Sequence, residues 1–118
     1  MKNEFKQVTR DNNLSVTLKI IRNNGVVTKG VIFKRKEYDF FVDVEVENPR
    51  KYKICNVELF YLDKNGQYVP LKGGLGFQKV RLSTKCLDGN KLVLKVKIEY
   101  KLSFFERKQI TVVCKGNV

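Results

Sequence analysis

The chain has no histidine. Imidazole is the only side chain that titrates unperturbed near neutrality and is the commonest metal ligand, so both the usual general base and the usual ligand are gone. Cysteine is scarce. Cys55, Cys86 and Cys114 lie far apart with no Cys-x-x-Cys spacing, and an odd number does not complete a paired secreted framework. They read as reduced thiols acting as small buried hydrophobes, with one disulfide and a spare thiol as the alternative. Acidic residues number 12 against 24 Lys and Arg, a formal net charge of +12 that attracts anions without choosing among them. No apolar run approaches a membrane span. The opening MKNEFKQVTRDNN has no apolar core like a signal peptide's, so a cytoplasmic location is the expectation. Helical periodicity of useful length is also missing.

What is present points to strands. At 118 residues the chain has the size of one domain and can bury roughly two thirds of its unfolded surface. A hydrophobic content of 42% beside 31% charged residues excludes a disordered chain. Residues 1–13 read as a flexible N-terminal arm and 14–118 as a single β-sandwich domain. Leu14, Val16, Leu18 and Ile20 alternate with Ser15, Thr17 and Lys19, the period of a half-buried strand. Asn23-Asn24-Gly25 reads as a hairpin turn leading to a second strand over 26–33, since Asn and Gly tolerate positive φ. In a third strand Tyr38, Phe40, Val42, Val44 and Val46 share one face, and Asp39, Asp43, Glu45 and Glu47 the other. Residues 54–62 are apolar on both faces and read as a central strand, while Pro70 marks 67–71 as an edge. A sixth strand is expected over 77–82. Leu92, Leu94, Val96, Ile98, Tyr100 and Leu102 give the longest alternation, and Ile110, Val112 and Cys114 mark the last strand.

Short strands separated by frequent turns predict an all-β fold, an antiparallel immunoglobulin-like β-sandwich of seven to eight strands, with a small β-barrel as the alternative. In such a sandwich the acidic face of the third strand is expected beside the lysine face of the seventh. Opposite charges paired across strands contribute roughly 0.2–1 kcal/mol each.

Residues 42–69, VDVEVENPRKYKICNVELFYLDKNGQYV, carry a resemblance. A strand closing on a turn at Asn48, then a strand led by Asn56-Val57 and ending on Asp63-x-x-Gly66, is similar to the B-strand, loop and C-strand of small immunoglobulin-like modules such as the FxLYD domains. Phe60-Tyr61-Leu62-Asp63 departs from that family's order. The resemblance implies a β-sandwich with an interaction or accessory role and no catalytic residues. Residues 71–79, LKGGLGFQK, contain a GLGF string that resembles the carboxylate-binding loop of PDZ domains. That domain needs several strands and two helices after the loop, which the remaining length does not supply. P-loop and dinucleotide-binding spacings also fail here, which leaves a bend between strands.

No nucleophile has a recognisable base, and Asp43, Glu45 and Glu47 read as a solvated face meeting lysines, not as a glycosidase pair. The chain is expected not to be an enzyme, with a histidine-free enzyme as the remotest reading. No cofactor and no metal are expected. If consecutive strands run up and down, the loops at 22–25, 48–53, 72–76 and 103–108 gather at one end. That end would present Arg22, Arg50, Lys51, Lys53, Lys72, Arg107 and Lys108, with Gly74 on its rim. Tyr52, Phe104 and Phe105 lie among them; the two phenylalanines either close the core or offer contact surface. The leading expectation is an interaction module that binds another protein with an acidic surface. The alternative is nucleic acid or another polyanion, because cations interleaved with aromatics suit phosphates and stacked bases.

Overall fold

In the computed structural model, which describes residues 4–118 without the side chains of 22–25, the alternating pattern folds into eight strands. They are β1 (Glu4–Asp11), β2 (Leu14–Lys29), β3 (Arg35–Glu47), β4 (Lys53–Leu62), β5 (Tyr68–Leu71), β6 (Gly76–Ser83), β7 (Lys91–Lys101) and β8 (Arg107–Asn117). Two four-stranded sheets result, in the orders β1-β2-β3-β6 and β5-β4-β7-β8, and every pairing is antiparallel. The arrangement is sandwich-like, or a half-barrel. No helix is long and apolar enough to cross a membrane among the described residues.

The core is the period-two face of each long strand. Leu14, Val16, Leu18 and Ile20 from β2 and Phe40, Val42 and Val44 from β3 meet Leu92, Leu94, Val96, Ile98 and Tyr100 from β7. Ile110, Val112 and Cys114 of β8 complete that face. Each fully buried Leu, Ile or Val contributes roughly 1.5–3 kcal/mol of transfer free energy, so one such row fixes the register of its strand. Cys55, Cys86 and Cys114 form no disulfide with one another; Cys114 is buried, and Cys55 and Cys86 are only half-buried.

Three expectations are overturned. The flexible arm expected over 1–13 is a strand where it is described: Glu4–Asp11 pair residue by residue with Leu14–Ile21, and residues 1–3 lie outside the described residues. Phe5 also reaches across to β8, where its ring occupies the space a side chain on Gly116 would need. Asn23-Asn24-Gly25 is not a hairpin. β2 runs through it as one strand with a register shift: Arg22 pairs with Phe40 and Gly25 with the adjacent Asp39, so Asn23 and Asn24 are extra residues on β2. The long β3 template outweighs the local turn preference.

The third correction concerns charge. The acidic strand β3 and the lysine-rich β7 lie in different sheets. The partners of β3 are β2 and β6: Lys19 Nζ is 3.2 Å from Glu45, and Asp39 receives Lys79 and Arg81. The hydrogen bond between Lys19 and Glu45 holds the Glu45 carboxyl below and the Lys19 ammonium above their ordinary pKa values. On β7, Lys95 Nζ instead lies 3.9 Å from the Tyr68 ring centroid and 4.9 Å from that of Phe60.

Candidate functional site

The strand directions place three connections at one end: the β1–β2 turn at Asn12 and Asn13, the β3–β4 loop and the β7–β8 hairpin. The β3–β4 loop is built by Asn48-Pro49. Proline presets φ for the turn, Lys51 takes a left-handed φ of 55°, and its N–H donates to the Asn48 carbonyl at 3.1 Å. The Asn48 side chain then clasps Tyr52 from both sides. Its amide donates to the Tyr52 carbonyl at 2.8 Å, and its Oδ1 accepts the Tyr52 N–H at 3.0 Å. Arg50 and Lys51 are therefore presented by a fixed turn.

Tyr52 does not stand free for stacking. Its hydroxyl donates to the Asn12 carbonyl at 2.9 Å, and its ring centroid lies 5.5 Å from that of Tyr100. Tyr100, wholly buried, donates to Asp11 Oδ2 at 3.2 Å and accepts from the Asn12 amide at 3.0 Å. Burial pushes the Tyr100 phenol above its ordinary pKa, so it stays a donor. The two tyrosines, Asn12, Asp11 and Asn48 form the floor of this end.

On the outward face of the β4-β7-β8 sheet at this end lies a row of cations. Lys53 is directly opposite Lys101 across β4 and β7, and Lys101 is opposite Arg107 across β7 and β8. Like charges opposite one another across a sheet are destabilising, so this row is unfavourable by itself. Arg107 is relieved by Glu99 at 2.9 Å and Lys108 by Glu106 at 3.1 Å. Arg50, Lys51 and Lys53 have no ion-pair partner among the described residues. The hairpin tip beside them exposes Phe104 at 83% and Phe105 at 93%, packed edge to face with centroids 4.9 Å apart. The phenylalanines thus lie outside the core.

The remaining candidates are elsewhere. Arg22 is opposite Phe40 in mid-sheet, and its side chain lies outside the described residues. Lys72 and Gly74 belong to the crossover between sheets. Leu71 pairs with Leu59, six residues into β4, and Gly76 pairs with Val44, three residues short of the end of β3. Gly76 holds a φ of 95°, and the Gly74 carbonyl accepts the Gln78 amide at 3.0 Å. This stretch is a bend along the sheet edge. Of the ten candidates, the structure brings together Arg50, Lys51, Tyr52, Lys53, Phe105, Arg107 and Lys108.

Sequence reasoning missed Lys101, Asn48, Asn12 and Asp11. Lys101 was legible only as one lysine of an alternating strand, because its significance comes from the strands on either side. Among the described residues no group of three or more Cys, Asp or Glu is placed to hold a metal ion. No family model, no curated protein and no solved structure matches the chain.

Proposed function

We propose that the chain is a non-catalytic immunoglobulin-like interaction module whose loop end binds an acidic surface of another protein. The observation that carries this reading is the cation row Lys53, Lys101 and Arg107 beside the exposed pair Phe104 and Phe105. Exposed apolar aromatics bordered by an excess of cations match the anatomy of a protein interface, where aromatic anchors supply affinity and the rim supplies steering. The immunoglobulin-like reading is supported by strand order: β2-β3-β6 and β5-β4-β7-β8 read as A-B-E and C′-C-F-G, with β1 added at the edge.

Protein is favoured over nucleic acid by the ring geometry. Phe104 and Phe105 meet at 85°, the edge of one ring against the face of the other, which leaves no pair of parallel platforms for successive bases. A photo-crosslinking residue at Phe105, with a second at the outward Lys97 as control, tests the reading in cells that make the protein. A discrete protein adduct from position 105 alone is expected. Strong retention on single-stranded DNA that falls steeply with salt, without such an adduct, would replace this reading by polyanion binding.

A further inference from the structure

The opposite end of the molecule carries a second exposed apolar feature. Between β2 and β3 the chain turns through Gly30, and Val31, Ile32 and Phe33 are 92%, 86% and 89% exposed. Gly30 has a φ of 98°, and a side chain there would run into the Phe33 carbonyl, so the turn is a shaped one. The hairpin outruns its neighbours. Among the described residues β1 pairs as far as Ile21 and β6 as far as Glu37, so the tip projects beyond these two neighbours. Behind the tip, Lys34, Arg35 and Lys36 face Ser83, Thr84 and Lys85 across a cleft of about 470 Å³. Among the described residues the collar makes one ion pair, between Arg35 and Glu37.

We infer that this tip docks the protein onto the surface of an anionic phospholipid bilayer. Val31, Ile32 and Phe33 are all left almost fully exposed at the tip of a hairpin, an apolar wedge that an acyl–headgroup boundary accepts. The cations behind them stand where anionic headgroups would lie once the tip is immersed, and the Ser83 and Thr84 hydroxyls add donors for phosphate oxygens. Apolar insertion and charge attraction are the two signals that stable peripheral binding requires.

The chain has no tryptophan, so Phe33→Trp supplies a single fluorescent reporter at the tip. With vesicles of phosphatidylcholine containing about 30% phosphatidylserine, its emission is expected to shift to the blue, and with phosphatidylcholine alone it is not. In co-sedimentation, a variant with Val31→Ser, Ile32→Ser and Phe33→Ser is expected to lower partitioning about tenfold or more. A variant with Lys34→Gln, Lys36→Gln and Lys85→Gln is expected to lower it by a similar factor. All six side chains lie outside the core, and a melting curve for each variant verifies folding. Sedimentation with anionic vesicles but an unshifted reporter would overturn the proposal in favour of plain electrostatic adsorption. So would tight binding to heparin with none to vesicles, which would make the cleft a polyanion site, or no vesicle binding at all.

Discussion

Lys79 Nζ stands 3.1 Å from Asp39 Oδ2 across the β3–β6 pair, and Asp39 is 2% exposed. Arg81 Nε approaches the other oxygen at 3.4 Å as a charge contact, without a hydrogen bond. A buried carboxylate is tolerated here because two cations from one neighbouring strand flank it. Replacing Lys79 and Arg81 together by Met should cost on the order of 1–3 kcal/mol, less than for a fully buried pair because both cations are half in water. Adding Asp39→Asn to that variant should recover much of the loss, since no charge is then left buried. Urea denaturation of the three proteins would show it; an unrecovered loss would mean that packing, not charge, is at stake.

The floor of the loop end predicts a separation of stability from binding. Tyr100→Phe removes a hydroxyl used by both Asp11 and Asn12 and should cost about 1–2 kcal/mol. Lys51→Gly removes a cation at a left-handed position that glycine takes without strain, so its melting temperature should stay close to that of the wild type. Binding of the partner found by crosslinking should weaken in Lys51→Gly and, more so, in Phe105→Ser. Equal affinity in all three would remove the loop end from consideration.

Alkaline pH should report on Tyr61. Its burial, together with the neighbouring Cys86 thiol, pushes the phenol up to about 12 from an ordinary value of 10.0. With the folded pKa above the unfolded one, the stabilisation is fully present below pH 10 and is lost as pH rises towards 12. The loss is roughly 1–3 kcal/mol and should be absent in Tyr61→Phe. Denaturation midpoints measured at pH 9 and pH 11 decide it, with the variant showing the flatter profile.

The placement of β1 is testable through Phe5. Phe5→Ala should destabilise by about 1–3 kcal/mol, the cost of a partly buried ring. Gly116→Val should destabilise as well, because its side chain and the Phe5 ring cannot share one space. If β1 contributed nothing, both substitutions would leave the urea midpoint unchanged.

The strands with one clean apolar face were legible from the residues alone. β7 alternates buried with partly buried residues along its length, as its Leu, Val and Ile spacing requires. β1 was not legible, because only Phe5 and Thr9 are partly covered and the rest of EFKQVTRD faces outwards. Its position rests on distant partners, such as the hydrogen bond from Tyr100 to Asp11, 89 residues away. The Asn-Gly signal misled for a related reason: turn propensity is local, and the thirteen-residue ladder of β3 is not. The grouping of the 48–53 and 103–108 loops followed from simple up-and-down alternation. Lys72 failed the same rule because β5 is four residues long and ends halfway along β4. Phe104, Phe105 and Phe33 have the composition of core residues, and only the hairpins that carry them place them outside it.

The unequal reach of the strands in the β1-β2-β3-β6 sheet has a consequence for local opening. Residues 14–21 of β2 are held between β1 and β3, whereas Val26 to Lys29 pair with β3 alone. Past Glu37, β3 pairs with β2 and, among the described residues, has one further backbone link, the Thr84 N–H donating to the Lys36 carbonyl at 3.1 Å. Amides near the tip can therefore exchange with solvent by peeling two short segments apart, while those near Leu18 and Val44 wait for the sandwich itself to open. A single strand would then show two levels of deuterium protection, divided at the register shift. Contact with a surface that buries the tip should raise the lower level and leave the upper one unmoved.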